Sequence, residues 1–522
     1  MCLTRKIILK ITHLIAVILA LGLLAPLPQA AGGGLKADVD PRVWQDTTNG
    51  QAADFMVVLR NQANLAPLAS SALQATPRVV EAYRSLRLAA DASQPAVEAY
   101  LKRYGASYRA YWILNMLVVH GRQELVSLLA ARPDVLYIEA DTPFKVNLET
   151  PETIPQAPGL PAPTAAPQPG LVDVHAPDLW ARGITGQGIV YANADTGVQW
   201  DHPALKGQYR GWDGAQADHN YNWWDAIHAI DNWATSNVCG FDLKVPCDDY
   251  GHGTHTTGTG VGGNTASGPI GMAPGARWIA CRNMNGGIGR PSTYIECLQF
   301  LTAPTDLNGQ NPEPSKHADV ISNSYSCTLI GKPASEGCSS HSLQAAVDAV
   351  RSAGIFMSVS AGNDGSACST ITDPPGLEAS VFTVGAVDAG NNNVIAGFSS
   401  RGPVIIDPTP LLKPNLVAPG VSVYSSLKGN LYGYESGTSM AAPHVAGAVA
   451  LLWSAYRPLK NKIPETEALL ENSAVPLYSN AGCGTDTSTS LPNNVYGYGL
   501  LDILKAYLTV MPLRLFNPIV MN

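Results

Sequence analysis

Short continuous apolar runs recur through the C-terminal two thirds of the chain, at 189–194, 277–281, 320–324, 355–359 and 381–387, separated by stretches of helical period. A strand with one wet face alternates apolar and polar residues, whereas an unbroken run marks a strand covered on both faces. The pattern therefore predicts a parallel sheet with helices on both sides, an α/β fold whose chemistry collects at the carboxyl ends of its strands. One longer run, 445–453, reads as a buried helix.

The N-terminal third follows another rhythm. Residues 53–60 suggest a strand, 78–103 a helix, 110–119 one or two strands, 123–131 a helix and 135–139 a last strand. That βαββαβ order suggests a small α+β ferredoxin-like sandwich spanning 50–146. Proline and alanine crowd the following stretch, so 147–170 is expected to be an extended linker. The larger unit is expected over 171–509. A tail at 510–522 is apolar but too short to cross a bilayer.

At the start, Arg5, Lys6 and Lys10 precede an apolar stretch at 11–24 that ends in small residues near Ala30 and Ala31. This is the form of an export signal, expected over 1–31, and a secreted, extracellular protein follows from its removal. With Cys2 gone, eight cysteines remain, an even set suited to disulfides in an oxidising compartment. Pairing near neighbours gives 239 with 247, 281 with 297 and 327 with 338. Zinc spacing of the Cys-x-x-Cys kind is absent, and 219–228, rich in Trp and Asp, has no tight ligand spacing, so no metal site is expected. The net charge of −8 is spread without basic blocks, which argues against nucleic acid and anionic membranes as partners. Glycines 183, 186 and 188 precede their strand rather than follow it, which excludes a dinucleotide fingerprint.

Candidate chemistry lies in three segments. Gly437-Thr438-Ser439-Met440-Ala441-Ala442-Pro443-His444 sets one serine among small residues at the start of the buried helix. There, free N–H groups and a positive dipole end lower the energy of a developing oxyanion. Asp195 ends an apolar strand and begins Asp195-Thr196-Gly197, and His252 lies in Gly251-His252-Gly253-Thr254-His255. Singly these are a turn, a helix start and an N-cap. Together they supply the nucleophile, base and orienting carboxylate that acyl transfer by serine requires.

With these local sequences in the order Asp, His, Ser, the chain resembles the subtilisin-like serine proteases, the subtilases, over about 171–507. Asn220-Tyr221-Asn222-Trp223-Trp224-Asp225-Ala226 and Trp278-Ile279-Ala280-Cys281-Arg282-Asn283-Met284 look like the bacillopeptidase F branch. The resemblance implies Asp195, His252 and Ser439 as the catalytic set, and Asn363 of Ser360-Ala361-Gly362-Asn363 as a donor to the oxyanion. It makes Ser324, Tyr325 and Ser326 the strand that pairs with substrate and walls the first specificity pocket, with Ser326 where the family usually has glycine. His255 and His444 are expected to be structural. The unit at 50–146 resembles the inhibitory propeptide of the family, notably at Pro133-Asp134-Val135-Leu136-Tyr137-Ile138-Glu139, implying a zymogen that cuts itself between Phe144 and Gly170. Residues 263–268 fall where many subtilases hold a structural calcium, yet Asn264, Thr265 and Ser267 bring no carboxylate, leaving backbone oxygens as ligands. No organic cofactor is implied.

The expected function is thus a secreted, monomeric serine endopeptidase acting on proteins and peptides, with its own propeptide as inhibitor and no membrane partner once the signal is gone. Two other classes share parts of the pattern. An inactive subtilase-like binding protein would lack one of the groups named above. A serine esterase would carry the Gly-x-Ser-x-Gly elbow, and Ala441 stands where its second glycine belongs.

Overall fold

The computed structural model describes residues 36–69, 75–146, 148, 166–229, 237–265, 268–327, 337–406 and 409–511. The expected signal, most of the linker and nearly all of the tail lie outside these.

The N-terminal unit has a five-stranded sheet in the spatial order Asp38–Val39, Val135–Ala140, Ala52–Leu59, Met116–Arg122, Ser107–Tyr111. The apolar stretch expected as one or two strands is two, turning at 112–115. The helices Ala75–Arg103 and Gln123–Ala130 lie close to the expected bounds, and Val97, Leu101, Val126 and Leu129 pack with Phe55 and Val57 of the sheet. An edge strand, Asp38–Val39, and a short helix, Pro41–Asp46, carry too few residues to show a period in sequence.

The larger unit is built on an eight-stranded sheet. Its parallel strands run Leu416–Pro419, Phe382–Asp388, Phe356–Ser360, Val320–Asn323, Val190–Asp195, Arg277–Arg282 and Trp223–Asp225, with Val394–Ile395 antiparallel at one edge. All five strands anticipated from apolar runs are present, shifted by at most one residue at their starts. Their side chains are buried on both faces, as unbroken apolar runs require. Thr438–Ala455 is a helix buried from Thr438 to Trp453, packed against this sheet.

Three adjacent strands decide where the site lies. Phe356–Ser360, Val320–Asn323 and Val190–Asp195 are neighbours in the sheet and run in the same direction. They deliver Asn363, Ser324 and Asp195 to one edge.

Two further features bear on the site. Four disulfides join Cys239 to Cys247, Cys281 to Cys297, Cys327 to Cys338 and Cys368 to Cys483, the first three being the near-neighbour pairs. The linker expectation fails at its end, where Pro169 opens the helix Pro169–Asp173. Proline suits a first helical position, and Gly170 lies against Pro419 and His444, so packing outweighs local composition.

Candidate active site

Asp195 and His252 meet through the packing of a strand end against a helix start. His252 is the first residue of the helix His252–Val261, and its Nδ1 lies 2.8 Å from Asp195 Oδ1 and 3.0 Å from Oδ2. Both side chains are fully buried. The approach depends on Gly253, where a Cβ would fall 2.0 Å from the Gly197 carbonyl oxygen and 3.1 Å from Asp195 Cβ. The Thr196 N–H and the Thr256 hydroxyl also donate to the Asp195 carboxylate, at 2.7 and 3.2 Å. A carboxylate on Nδ1 selects the tautomer whose Nε2 accepts a proton.

Asp248, which the sequence reading missed, holds this junction together. Its carboxylate accepts from the N–H groups of Tyr250, Gly251 and Thr254 and from the hydroxyls of Thr254 and Thr196, at 2.6 to 3.0 Å. One buried acid thus caps the His252 helix and ties it to the residue after Asp195. Burial pushes its pKa up, against the pull of these donors. The available signal was an Asp a few residues before a helix start.

Ser439 is the second residue of the helix Thr438–Ala455, which follows Gly437. Its hydroxyl donates to the Ser324 carbonyl at 3.2 Å, and the Ser324 hydroxyl donates back to the Ser439 carbonyl at 2.8 Å. The Asn363 carboxamide oxygen accepts from the Thr438 N–H at 3.0 Å and from its hydroxyl at 2.9 Å. Gly362 N–H donates to the same hydroxyl at 3.1 Å. Thr438 therefore locks the amide's oxygen side, leaving its NH₂ as the group that can serve the cavity. That cavity, of about 650 Å³, is bordered by Ser324, Tyr325, Ser326, Asn363, Thr438 and Ser439 among others. The Tyr325 ring lies 3.9 Å from that of Tyr294, centroid to centroid, and the residue is buried.

The remaining histidines of the motifs face inward. His255 Nε2 lies 3.0 Å from the Val423 carbonyl and His444 Nδ1 2.8 Å from the Met440 carbonyl. Burial pushes their pKa values down to about 3 and about 4. In the Trp-rich stretch, His219 pairs with the Tyr209 hydroxyl, and His228 lies between Asp242 and Glu296. Among the described residues no cluster of three His, Cys, Asp or Glu could hold a metal ion. At the expected calcium loop the Gly263 N–H donates to the Ala204 carbonyl and the Thr265 hydroxyl to the Gly268 carbonyl. The loop's described side chains carry no carboxylate, and the Gly268 carbonyl is one oxygen already engaged by a donor of the loop itself. The described part of the loop thus offers a hard divalent cation neutral oxygens and no charged ligand.

A segment of the N-terminal unit lies in the cleft. Phe144–Lys145 pairs antiparallel with Ile288–Gly289, and the Val146 N–H donates to the Gly287 carbonyl at 2.8 Å. The Phe144 ring is buried 5.6 Å from that of Tyr294. Lys145, Val146 and Leu148 border the same cavity as Ser439. An extended peptide added to a sheet edge is a recurrent mode of peptide recognition. Strands of two residues have no readable period, so this pairing was invisible in sequence.

Comparison with known proteins gives a consistent result. A family model described as the subtilase family, Peptidase_S8, matches residues 186–499. Bacillopeptidase F of Bacillus subtilis (strain 168) is 32% identical over 481 residues, covering 89% of this chain and 31% of that protein. Subtilisin E of the same strain is 29% identical over 364 residues, 67% of this chain and 75% of that protein. Subtilisin of Bacillus pumilus is 31% identical over 345 residues, 65% of this chain and 97% of that protein. The chain spans about a third of the length of bacillopeptidase F.

Proposed function

The chain belongs to the subtilase family, and from that premise we propose that it is a secreted serine endopeptidase made as a zymogen. The observation that carries this reading is the His252 imidazole seated on the Asp195 carboxylate, next in the sheet to the strand that leads into Ser324, whose carbonyl holds the Ser439 hydroxyl.

In this mechanism an extended peptide pairs with the strand continuing into Ser324–Ser326. Its N–H groups compete for the Ser324 carbonyl and free the Ser439 hydroxyl. Ser439 Oγ attacks the peptide carbonyl while His252 takes its proton, and Asp195 holds the imidazolium. The Asn363 amide and the Ser439 N–H at the helix start donate to the oxyanion. His252 returns the proton to the leaving amine, and water then releases the acyl group by the same steps. The residues of this chain suffice, with no cofactor in the reaction. Because the described side chains of the 263–268 loop bring no carboxylate, a chelator is expected to leave the thermal midpoint unchanged.

The N-terminal unit acts as inhibitory propeptide, with Lys145, Val146 and Leu148 bordering the cleft where a substrate would lie. Self-cleavage between Phe144 and Gly170 then yields a monomeric mature enzyme. The test is casein hydrolysis and sequencing of the mature N-terminus for the wild type and Ser439→Ala. Ser439→Ala is expected to lower turnover by roughly 10⁶ and to remain unprocessed when purified. Unaided processing of that variant, or casein hydrolysis at the wild-type rate, would overturn the reading.

A further inference from the structure

We propose that the catalytic unit carries a guanidinium socket at the end of the sheet opposite Ser439. Arg78 seated there is a second anchor, which keeps the N-terminal unit docked after the chain is cut in the cleft. This deepens the zymogen reading and rests on it.

The helix Ala75–Arg103 belongs to two cores. Its C-terminal half packs Val97 and Leu101 onto the small unit's own sheet, with Phe55 and Val57. In its N-terminal half Val79, Ala82, Leu86 and Ala90 recur at spacings of three and four, so they share one face. That face joins a cluster with Ala346, Val350 and Ala353 of the catalytic unit. At 29 residues the helix is about 43 Å long. The longest strand of the small sheet, with eight residues, spans about 27 Å, so the helix outruns the sheet it covers.

Arg78 lies in the overhanging part and is buried. Its Nη1 donates to the Asn461 carbonyl at 2.9 Å. Two left-handed residues shape the receiving surface, Gly354 with φ +83° and Asn461 with φ +67°. The Asn461 carboxamide donates to the Gly354 carbonyl at 2.8 Å and so ties the two turns together. A Cβ at Gly354 would fall 2.9 Å from Arg78 Cδ, which makes the bare glycine the slot that admits the arginine stem. Burial pushes the Arg78 pKa down, and Glu465 in the first turn of the helix Ile463–Ser473 pulls it up. An acceptor carbonyl, a nearby acid and a slot for an aliphatic stem together match a guanidinium side chain.

This socket is far from the chemistry. Gly354 precedes the strand Phe356–Ser360, whose other end leads to Asn363. Lys460 pairs at 2.7 Å with Asp319, the residue before the strand Val320–Asn323. Both marks place the socket at the amino ends of the strands, about 15 Å or more from the carboxyl ends where Lys145, Val146 and Leu148 border the cavity of Ser439. A cut in the cleft removes none of the contacts at Arg78. One folded unit held at two places leaves only when both let go, so the cleft contact keeps a high effective concentration.

The test follows the refolded full-length protein by gel for self-cleavage, by peptide hydrolysis for the onset of activity, and by size exclusion of the cut product. In the wild type the N-terminal fragment is expected to elute with the catalytic unit, and activity to lag behind cleavage. Arg78→Ala is expected to cut itself at the wild-type rate and to shorten the lag by about tenfold or more, its fragments eluting apart. Arg78→Lys keeps the stem and the charge but loses the planar fork, so its lag should fall between the two. A lag that is the same in Arg78→Ala and the wild type overturns the anchor and leaves the zymogen reading in place. Should Arg78→Ala fail to fold, equal lags in Arg78→Lys and the wild type overturn it instead. If the wild type does not cut itself through Ser439, both readings fall.

Discussion

Asn363 has its carboxamide oxygen fixed by two donors from Thr438, so the orientation of its NH₂ is set before any substrate arrives. A donor prepositioned in this way stabilises charge that develops only in the transition state. Asn363→Ala is therefore expected to lower kcat by roughly 10² to 10³ with little change in KM, measured on one peptide substrate. A loss confined to KM would make the residue a binding contact instead. Glu378 poses a separate problem. It is buried, and among the described residues neither carboxylate oxygen has a hydrogen-bond partner. Burial first, then Asp348, push its pKa up to about 8 against the pull of Lys413. Folded chains thus keep a proton that unfolded chains release above 4.5, so this residue's contribution to stability is lost as pH rises towards 8. Its neighbour Lys413, pushed down to about 7 by burial, gives the opposite slope between about 7 and 10.5. In the Ser439→Ala background, which prevents autolysis, Glu378→Gln is expected to flatten the fall in thermal midpoint between pH 4.5 and pH 8. An unchanged slope would assign that fall to other groups.

The helices that carry His252 and Ser439 pack closely because small residues face one another. A Cβ at Gly447 would lie 2.4 Å from Met272 Cβ and 2.9 Å from the Gly260 carbonyl oxygen. Alanine is the better helix former by about 1 kcal/mol, but overpacking a filled core costs about 1 to 3 kcal/mol. Steric crowding wins, so Gly447→Ala is expected to lower unfolding stability, as denaturant melts of the Ser439→Ala protein would show. A stabilised variant would mean that the helices can separate at little cost. This scale also separates what sequence can and cannot reveal. Strands such as Phe356–Ser360 were legible because burial on both faces leaves an unbroken apolar run. The motif residues were legible because Asp195, His252 and Ser439 each sit among small residues that local sequence displays. Asp248 showed only the local signal of an acid before a helix start, since four of its donors lie within six residues, while its tie to Thr196 forms only in the fold. The cavity lining was not legible, since 324–326, 362–364 and 369–373 lie far apart along the chain and the composition of their shared surface exists only in the fold.

At the scale of the whole molecule, the seam between the two units joins apolar packing to a buried polar contact. Met56, Trp112 and Ile113 of the N-terminal unit share a cluster with Leu298, Phe300 and Val347 of the catalytic unit. Within it the Tyr111 hydroxyl donates to Glu296 Oε2 at 2.7 Å, and the Trp112 N–H donates to Gln299 Oε1 at 2.7 Å. Glu296 also accepts from Trp224 at 2.7 Å and lies 2.9 Å from His228 Nε2. Burial pushes the Glu296 pKa up, but His228, Arg109 and Tyr111 together outweigh it and hold the carboxylate below its ordinary range. The acid is thus ionised at neutral pH and Tyr111 donates to a charge. A hydrogen bond to a charged group contributes about 1.5 to 3 kcal/mol, so Tyr111→Phe is expected to loosen the N-terminal unit from the larger one by about tenfold to a hundredfold. If the chain is the zymogen proposed above, the delay between self-cleavage and full activity of the refolded chain should shorten. The same seam carries a pH signature. Burial pushes His228 down, yet Glu296 and Asp242 outweigh it, so its pKa lies above the ordinary 6.5. The ion pair's contribution is therefore complete below 6.5 and is lost as pH rises through the raised value. Full-length Ser439→Ala protein should show a falling thermal midpoint above pH 6.5 that His228→Gln flattens, and a midpoint independent of His228 there would remove the ion pair from the account of how the units hold together.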